Sequence, residues 1–395
     1  MVDTRVDESI RGVVPSAWDA LVGEESPFLE YAFLAALEES GSVGGATGWE
    51  PVVITAWLRA SGDAGAASGA DGGTLVGGLV AWRKRHSFGE FVYDWGIADW
   101  AMRQGIAWYP KLVAAVPFSP VAGARLLVHP AVASVAEGAA APCTAAEVRR
   151  ALVEAFVRAG ARDASCNILF PDEADAEFLR GGGWAERLQT QYHWTNHGFR
   201  TFEEFLATLP SKRRNSIRRE RRDASSQAEV RVVDGTFPGL AGYLADFYGS
   251  TAERYTGERG YVTPAFFENL CARWAHRVHS VVALDGARVI AGTFNVQKGR
   301  RLYGRWWGCR EERPFLHFEV ALYRAIDACI ENGWEAFEPG HGGEHKRARG
   351  FVPTLVRSFH RHRHPGADAA LRAYYDREAE AVRARLREGG DVEAS

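Results

Sequence analysis

The stretch Val289-Ile-Ala-Gly-Thr-Phe-Asn-Val296, followed by Arg301-Leu-Tyr-Gly-Arg-Trp-Trp-Gly308 and the run Leu316–Asn332, decides the fold. It reads as a Gly-interrupted strand, an aromatic strand ending in Trp-Gly, and a helix. The first half repeats this order in Leu75-Val-Gly-Gly-Leu-Val80, Gly89-Glu-Phe-Val-Tyr-Asp-Trp-Gly96 and a helical candidate from Tyr109. Hairpins followed by helices are common units, but the shared Trp-Gly ending favours two copies of one strand–strand–helix fold.

Outward from these copies, helical patterns lie near Tyr31–Ser40 and Glu147–Ala159, then near Leu240–Arg254 and Pro264–Trp274. Strand patterns between them imply an α/β (α+β) class, with helices covering a sheet in each half. The turn Gly181-Gly-Gly-Trp184 closes the first half, and the expected domains are residues 1–197 and 198–395. Ser61–Gly73 reads as a flexible loop between the strands Val52–Trp57 and Leu75–Trp82, and Ala131–Thr144 as an exposed connector. The tail from Ala367 is charged and helical in pattern, fraying near Gly389.

With 395 residues, 46% hydrophobic and 25% charged, the chain has ample core and is neither disordered nor collagen-like. No run approaches the roughly 18 apolar residues of a membrane span, and the charged start Met1-Val-Asp-Thr-Arg-Val-Asp-Glu8 lacks the apolar segment of a secretory signal. The five cysteines are scattered without a C-x-x-C pair. That speaks against disulfides or a cysteine-built zinc site and fits a reducing cytoplasm.

Net charge is −3, yet seven of the eleven residues Lys212–Arg222 are Lys or Arg. Pro210 favours a helix beginning just after it. At helical spacing Arg214, Arg218, Arg221 and Arg222 share a face, which with Lys212 would present cations to phosphates or a polyanion. A solvated basic face is the alternative, but seven positive charges with only Glu220 interleaved favour an anion site.

The segment Glu338-Pro-Gly-His-Gly-Gly-Glu-His-Lys346 follows an apparent strand, Trp334–Glu338. Its glycines allow close backbone approach, and its ionisable groups offer a base and a cation for developing negative charge. Glu338 and Lys346 are therefore the leading catalytic candidates. The pattern is not H-E-x-x-H, so a metal is not expected. His317 and Glu319 open the helix after Arg305-Trp-Trp-Gly308, where backbone N–H groups can hold an anion; a packed helix-start histidine is the alternative. No R/Q-x-x-G-x-G/A turn stands between a strand and a helix: Arg180-Gly-Gly-Gly-Trp-Ala185 leads from helix to strand, the wrong order for pyrophosphate. ATP-, NAD- and hydrolase-type motifs are absent as well.

These residues resemble the FemAB-like, or Fem-type, predicted N-acyltransferases of the GNAT superfamily, in the peptidoglycan biosynthesis/recognition branch. The resemblance runs from Ser26 to about Tyr375. It rests on Ser26-Pro-Phe-Leu29 with Phe33–Val43, Tyr93-Asp-Trp-Gly96, Tyr109-Pro-Lys-Leu112 and Val116-Pro-Phe-Ser-Pro-Val121. It continues in His193-Trp-Thr-Asn196, Ser211–Arg221, Tyr303–Gly308, Phe315–Glu319 and Glu344–Gly350.

The resemblance implies two tandem GNAT-like domains, each a mixed sheet flanked by helices. It also implies transfer of an acyl or aminoacyl group to the amine of a small-molecule or cell-wall-precursor acceptor. The donor is aminoacyl-tRNA in characterised Fem-type relatives and acyl-CoA in other GNAT-fold enzymes, with no bound cofactor. The missing turn and the basic run lean towards tRNA. The expected roles are Glu338 or Glu319 as base, Lys346 and Arg305 for negative charge, Arg214, Arg218 and Arg221 for donor phosphates, and Asp94 either facing the acceptor or buried in a pair with an Arg. Pro339-Gly-His-Gly342 and the segment after Pro353 depart from the family pattern, so a difference is expected in the acceptor.

Overall fold

The computed structural model describes residues 2–24, 26–59, 73–134 and 142–388. The loop expected at 61–73 lies, apart from Gly73, outside the described residues, as do 135–141 of the expected connector and the tail beyond 388. The chain forms two compact units. The first comprises Met1–Glu38, Val43–Gln189 and Val356–Arg385, and the second Glu39–Ser42, Thr190–Leu355 and Leu386–Ser395. The change near 189 lies close to the boundary expected at 197, but residues 356–385 return to the first unit.

In the first unit, strands Val2–Asp7, Trp49–Arg59, Gly73–Lys84 and Lys111–Ala114 pair antiparallel in that order. The helix Ala145–Ala159 then leads to Ser165–Leu169, which pairs parallel with Lys111–Ala114. Val352–His362 closes the order, antiparallel to Ser165–Leu169. A capping box starts the helix: the Glu147 backbone N–H donates to Thr144 Oγ1 at 3.2 Å, and the Thr144 N–H to Glu147 Oε2 at 2.8 Å. Its inner face, Val148, Leu152, Ala155 and Phe156, joins Ile54, Leu79, Leu112 and Ile168 in the core. Close packing there accounts for the glycine in the facing strand, since a Cβ on Gly77 would lie 2.4 Å from Val148.

The second unit repeats the plan. Strands Glu229–Asp234, His279–Asp285, Arg288–Lys298 and Arg301–Cys309 are antiparallel, and Ala336–Glu338 runs parallel to the last. The C-terminal part of Ala185–Thr195 completes it, antiparallel to Ala336–Glu338. The intervening helix covers Leu316–Asn332, with a π-helical turn at Glu319–Tyr323.

The repeat is therefore present, but in other residues than the sequence pattern suggested. The counterpart of Arg301–Cys309 is Lys111–Ala114, whereas 89–96 is a turn leading into the helix Trp95–Arg103, and Tyr109 precedes a strand. The two Trp-Gly endings have different causes. A Cβ on Gly308 would lie 2.2 Å from the Phe247 carbonyl oxygen, but one on Gly96 would meet nothing within 4 Å. Extended structure fails at 89–96 because Glu90 and Asp94 both turn inward to Lys111, leaving Phe91 and Tyr93 between them at φ 62° and 47°.

Candidate active site

The site in the second unit is built where its two parallel strands part. Ala336–Glu338 pairs with Arg301–Tyr303 and ends, while Arg301–Cys309 runs on to Cys309. Its other edge carries a bulge: Phe294 faces Trp306 and Asn295 faces Gly304, so Arg305 is the extra residue of the bulged strand. Arg305 is turned into the protein and donates from Nη2 to the Glu338 carbonyl oxygen at 3.2 Å. Burial lowers its pKa to about 10, against the pull of Glu338, so it is cationic at neutral pH.

Glu338 is 3% exposed at the end of its strand. Oε1 accepts from Arg301 Nη1 at 3.2 Å, whereas the buried Oε2 accepts no hydrogen bond among the described residues. Extending the pairing of Phe337 with Trp194 by one residue sets His193 opposite Glu338. The His193 ring bonds to Gln191 Oε1 through Nε2 at 3.1 Å. Burial holds it below its ordinary pKa, despite the nearby Glu338 carboxylate. The result is a desolvated carboxylate with one free oxygen, flanked by two guanidinium groups and a neutral imidazole.

The glycine-rich loop after Glu338 turns beside this carboxylate. Gly340 packs close enough to strand Arg301–Cys309 that a Cβ on it would lie 3.1 Å from the Gly304 carbonyl oxygen. Lys346 is buried and points back under the loop, donating to the carbonyl oxygens of Gly340 at 2.8 Å and His341 at 3.2 Å. Burial and then Arg305 lower its pKa to about 8. Lys346 thus lies beneath the glycine-rich loop, with its ammonium spent on loop backbone.

Glu319 is placed otherwise than expected. Buried on the π-helical turn, it accepts from Arg221 Nε and Nη2, both at 3.1 Å. Arg221 also donates to Asp327 at 3.1 and 2.5 Å. This bidentate pairing removes Glu319 as a free base and Arg221 as a phosphate ligand. His317 stacks on Trp307 with ring centres 4.3 Å apart, and burial, then His345, Arg349 and Lys346, lower its pKa to about 4. It is a neutral packed residue at the helix start.

The basic segment forms the helix Ser211–Ser225, as expected, with Ile217, Glu220 and Ala224 buried. Arg214 caps the Leu209 carbonyl at 2.8 Å, and Arg218 pairs with Glu203 at 2.5 Å on the surface. Lys212, Arg213, Arg218, Arg219 and Arg222 are the cations turned to solvent, whereas Arg214 and Arg221 are half-buried, so the outward basic face is rotated from the Arg214–Arg221 line. Glu220 faces inward and accepts from Arg349 Nε and Nη2 at 3.0–3.2 Å and from the Tyr323 hydroxyl. Arg349 also lies 3.4 Å from the Phe318 ring centre and donates to the His345 carbonyl at 2.9 Å. This network joins the basic helix to the glycine-rich loop.

Asp94 lies in the first unit, 5% exposed. Its Oδ2 accepts from Lys111 at 2.6 Å and Trp108 Nε1 at 3.0 Å, and Lys111 also reaches Glu90 at 2.7 Å. Burial pushes the Asp94 carboxyl up, but Lys111 outweighs it and leaves the pKa lowered. Asp94 is thus held in a buried ion pair, with Lys111 rather than an Arg as the cation. Among the described residues no cluster of three or more His, Cys, Asp or Glu side chains is placed to hold a metal, and no helix is long and apolar enough to cross a membrane.

Sequence reasoning gave no role to His193, Arg301, Glu220 or Arg349. A polar residue directly before the buried Trp194 was the available signal for His193.

Solved structures similar to this chain include FemX, with 12% identity over 88% of this chain and 96% of that one and a TM-score of 0.50. Others are L-PGS from Bacillus licheniformis, with 11% identity over 89% and 98% and a TM-score of 0.45, and a tandem GNAT protein from the clavulanic acid biosynthesis pathway, with 12% over 92% and 99% and a TM-score of 0.43. The FemX likeness shows the shared fold. No curated protein matches the sequence. The family model described as FemAB-like, peptidoglycan biosynthesis/recognition, matches residues 9–392. With that match spanning nearly its whole length, the chain belongs to the FemAB-like family.

Proposed function

We propose that the chain is an aminoacyltransferase, moving an aminoacyl group from tRNA to the amine of a small-molecule or cell-wall-precursor acceptor, and that each unit is a GNAT-like fold. The observation that carries the chemistry is the buried Glu338 with Oε2 free. The acceptor nitrogen attacks the ester carbonyl, Oε2 takes the proton it sheds and hands it to the ribose oxygen, and the tRNA ribose hydroxyl leaves as the ester C–O bond breaks and the amide remains. Arg305, fixed by the bulge and the Glu338 carbonyl, is the cation for the tetrahedral oxyanion. Lys346 holds the loop that shapes the floor of the site, and the outward face Lys212, Arg218, Arg219 and Arg222 meets the tRNA backbone.

The turn between Arg301–Cys309 and the next helix supports tRNA over acyl-CoA. It reads Arg310-Glu-Glu-Arg-Pro-Phe315, without glycine, and its Arg313 is taken up by Asp285 at 2.6 Å and Glu311 at 2.9 Å. Two carboxylates there oppose a pyrophosphate.

The test is label transfer to a primary-amine pool from mixed charged tRNA, with and without RNase, and in parallel from labelled acetyl-CoA. RNase-sensitive transfer is the expected result. Transfer from acetyl-CoA alone makes the protein an acyl-CoA N-acyltransferase, and tRNA binding without transfer makes it a binding module of the same fold.

A further inference from the structure

We propose that the first unit carries a separate ligand site, a cavity of about 440 Å³ that takes an organic anion with a flat apolar body. It lies between the helices Trp95–Arg103 and Pro365–Glu388. Tyr93, Trp100 and Tyr374 give it aromatic walls, and Ile97 and Leu371 add aliphatic surface. This size and lining are those of a small-molecule pocket.

Two observations set its preference for charge. Arg187 and Arg377 are the charged residues of the lining. Arg187 is already neutralised: Nε and Nη2 donate to Glu378 at 2.7 and 3.0 Å, and Nη1 to the Val92 carbonyl at 2.6 Å. Arg377 is exposed and makes no hydrogen bond or ion pair among the described residues, so the cavity offers one available guanidinium. A guanidinium beside aromatic faces suits a carboxylate or phosphate borne on a ring or acyl chain.

The wall at Tyr93 is held in a costly shape. Phe91 and Tyr93 both have left-handed backbones, at φ 62° and 47°, which bulky residues rarely adopt. The flanking Glu90 and Asp94 anchor them, both drawn onto the buried Lys111. Without that anchor the turn would relax and Tyr93 would leave the cavity. The buried charge cluster thereby acquires a positioning role for a site that the transfer chemistry does not use.

The experiment is fluorescence titration of the full-length protein with 1-anilinonaphthalene-8-sulfonate and with its uncharged analogue N-phenyl-1-naphthylamine. Benzoate, octanoate and phenyl phosphate serve as competitors that tell aryl carboxylate, acyl and phosphate ligands apart. Saturable one-to-one binding of the sulfonate is expected, displaced by at least one competitor. Arg377→Glu should weaken the sulfonate by about tenfold or more and the neutral dye by less than about twofold. Gly96→Trp, at a lining position where an added Cβ meets nothing within 4 Å, should abolish both without lowering the melting temperature. Absent saturable binding, failure of every competitor, or sulfonate affinity unchanged in both variants overturns the site. Equal weakening of both dyes by Arg377→Glu overturns its preference for anions.

Discussion

Arg221 and Glu319 face each other in a two-bond pair, both contacts at 3.1 Å, although 98 residues separate them in the chain. The pair ties the basic helix to the π-helical turn, and Asp327 completes it on the other side of the guanidinium. Removing one partner leaves buried charge uncompensated. Arg221→Met should therefore lower unfolding free energy by about 3 kcal/mol in urea denaturation. Arg221→Lys should recover little of it, because an ammonium cannot reproduce the fork. Wild-type stability in Arg221→Met would show that the pair contributes nothing.

Lys346 predicts a loop effect rather than a charge effect. Its bonds to Gly340 and His341 tie down a segment whose Gly340, Gly342 and Gly343 all have positive φ. Lys346→Met should speed amide exchange across residues 340–343 and abolish transfer while leaving tRNA affinity intact. Unchanged exchange with lost transfer would return the ammonium to a direct role.

Lys84 gives a pH signature. It lies 3.6 Å from the Trp49 ring centre, and burial lowers its pKa from 10.5 to about 7 against the pull of Glu90. Between those values the unfolded chain binds the extra proton, so stability rises with pH, by up to about 1.4 kcal/mol per unit. Lys346, lowered to about 8, adds its own rise above that pH. Lys84→Met should therefore reduce the rise of the denaturation midpoint between about pH 7 and pH 8. The same slope in the variant would contradict the assignment.

The outward face of the basic helix is tested by salt. Arg219→Glu and Arg222→Glu should each weaken tRNA binding and reduce the slope of log affinity against log salt by about one. Arg214→Gln should leave that slope unchanged, since its guanidinium caps the Leu209 carbonyl. A slope that responds to Arg214 and not to Arg219 would restore the face drawn from helical spacing.

Much of this architecture is legible in the sequence because it is local. The apolar spacing of Ala145–Ala159 and the charge of Lys212–Arg222 mark helices, and the density of ionisable groups after Trp334 marks the site loop. What helical spacing could not show is that Glu319 and Asp327 wait for Arg221, a match made 98 and 106 residues away. Nor could the strand pattern of 89–96 reveal Lys111 drawing two carboxylates inward. The two Trp-Gly endings look alike on paper, yet only Gly308 has a helix backbone pressed against it. Glu338 was visible as a residue, while its neighbours Arg301 and His193 arrive through strand register.

The central claim is that Glu338 Oε2 takes the acceptor proton, and single-turnover transfer from charged tRNA by Glu338→Gln tests it most directly. The amide keeps the shape and the contact to Arg301 but cannot act as base. The variant should bind tRNA and melt like the wild type while its transfer rate falls by about 10²–10⁴-fold. Wild-type rates from folded Glu338→Gln would contradict the account and move the chemistry away from this carboxylate.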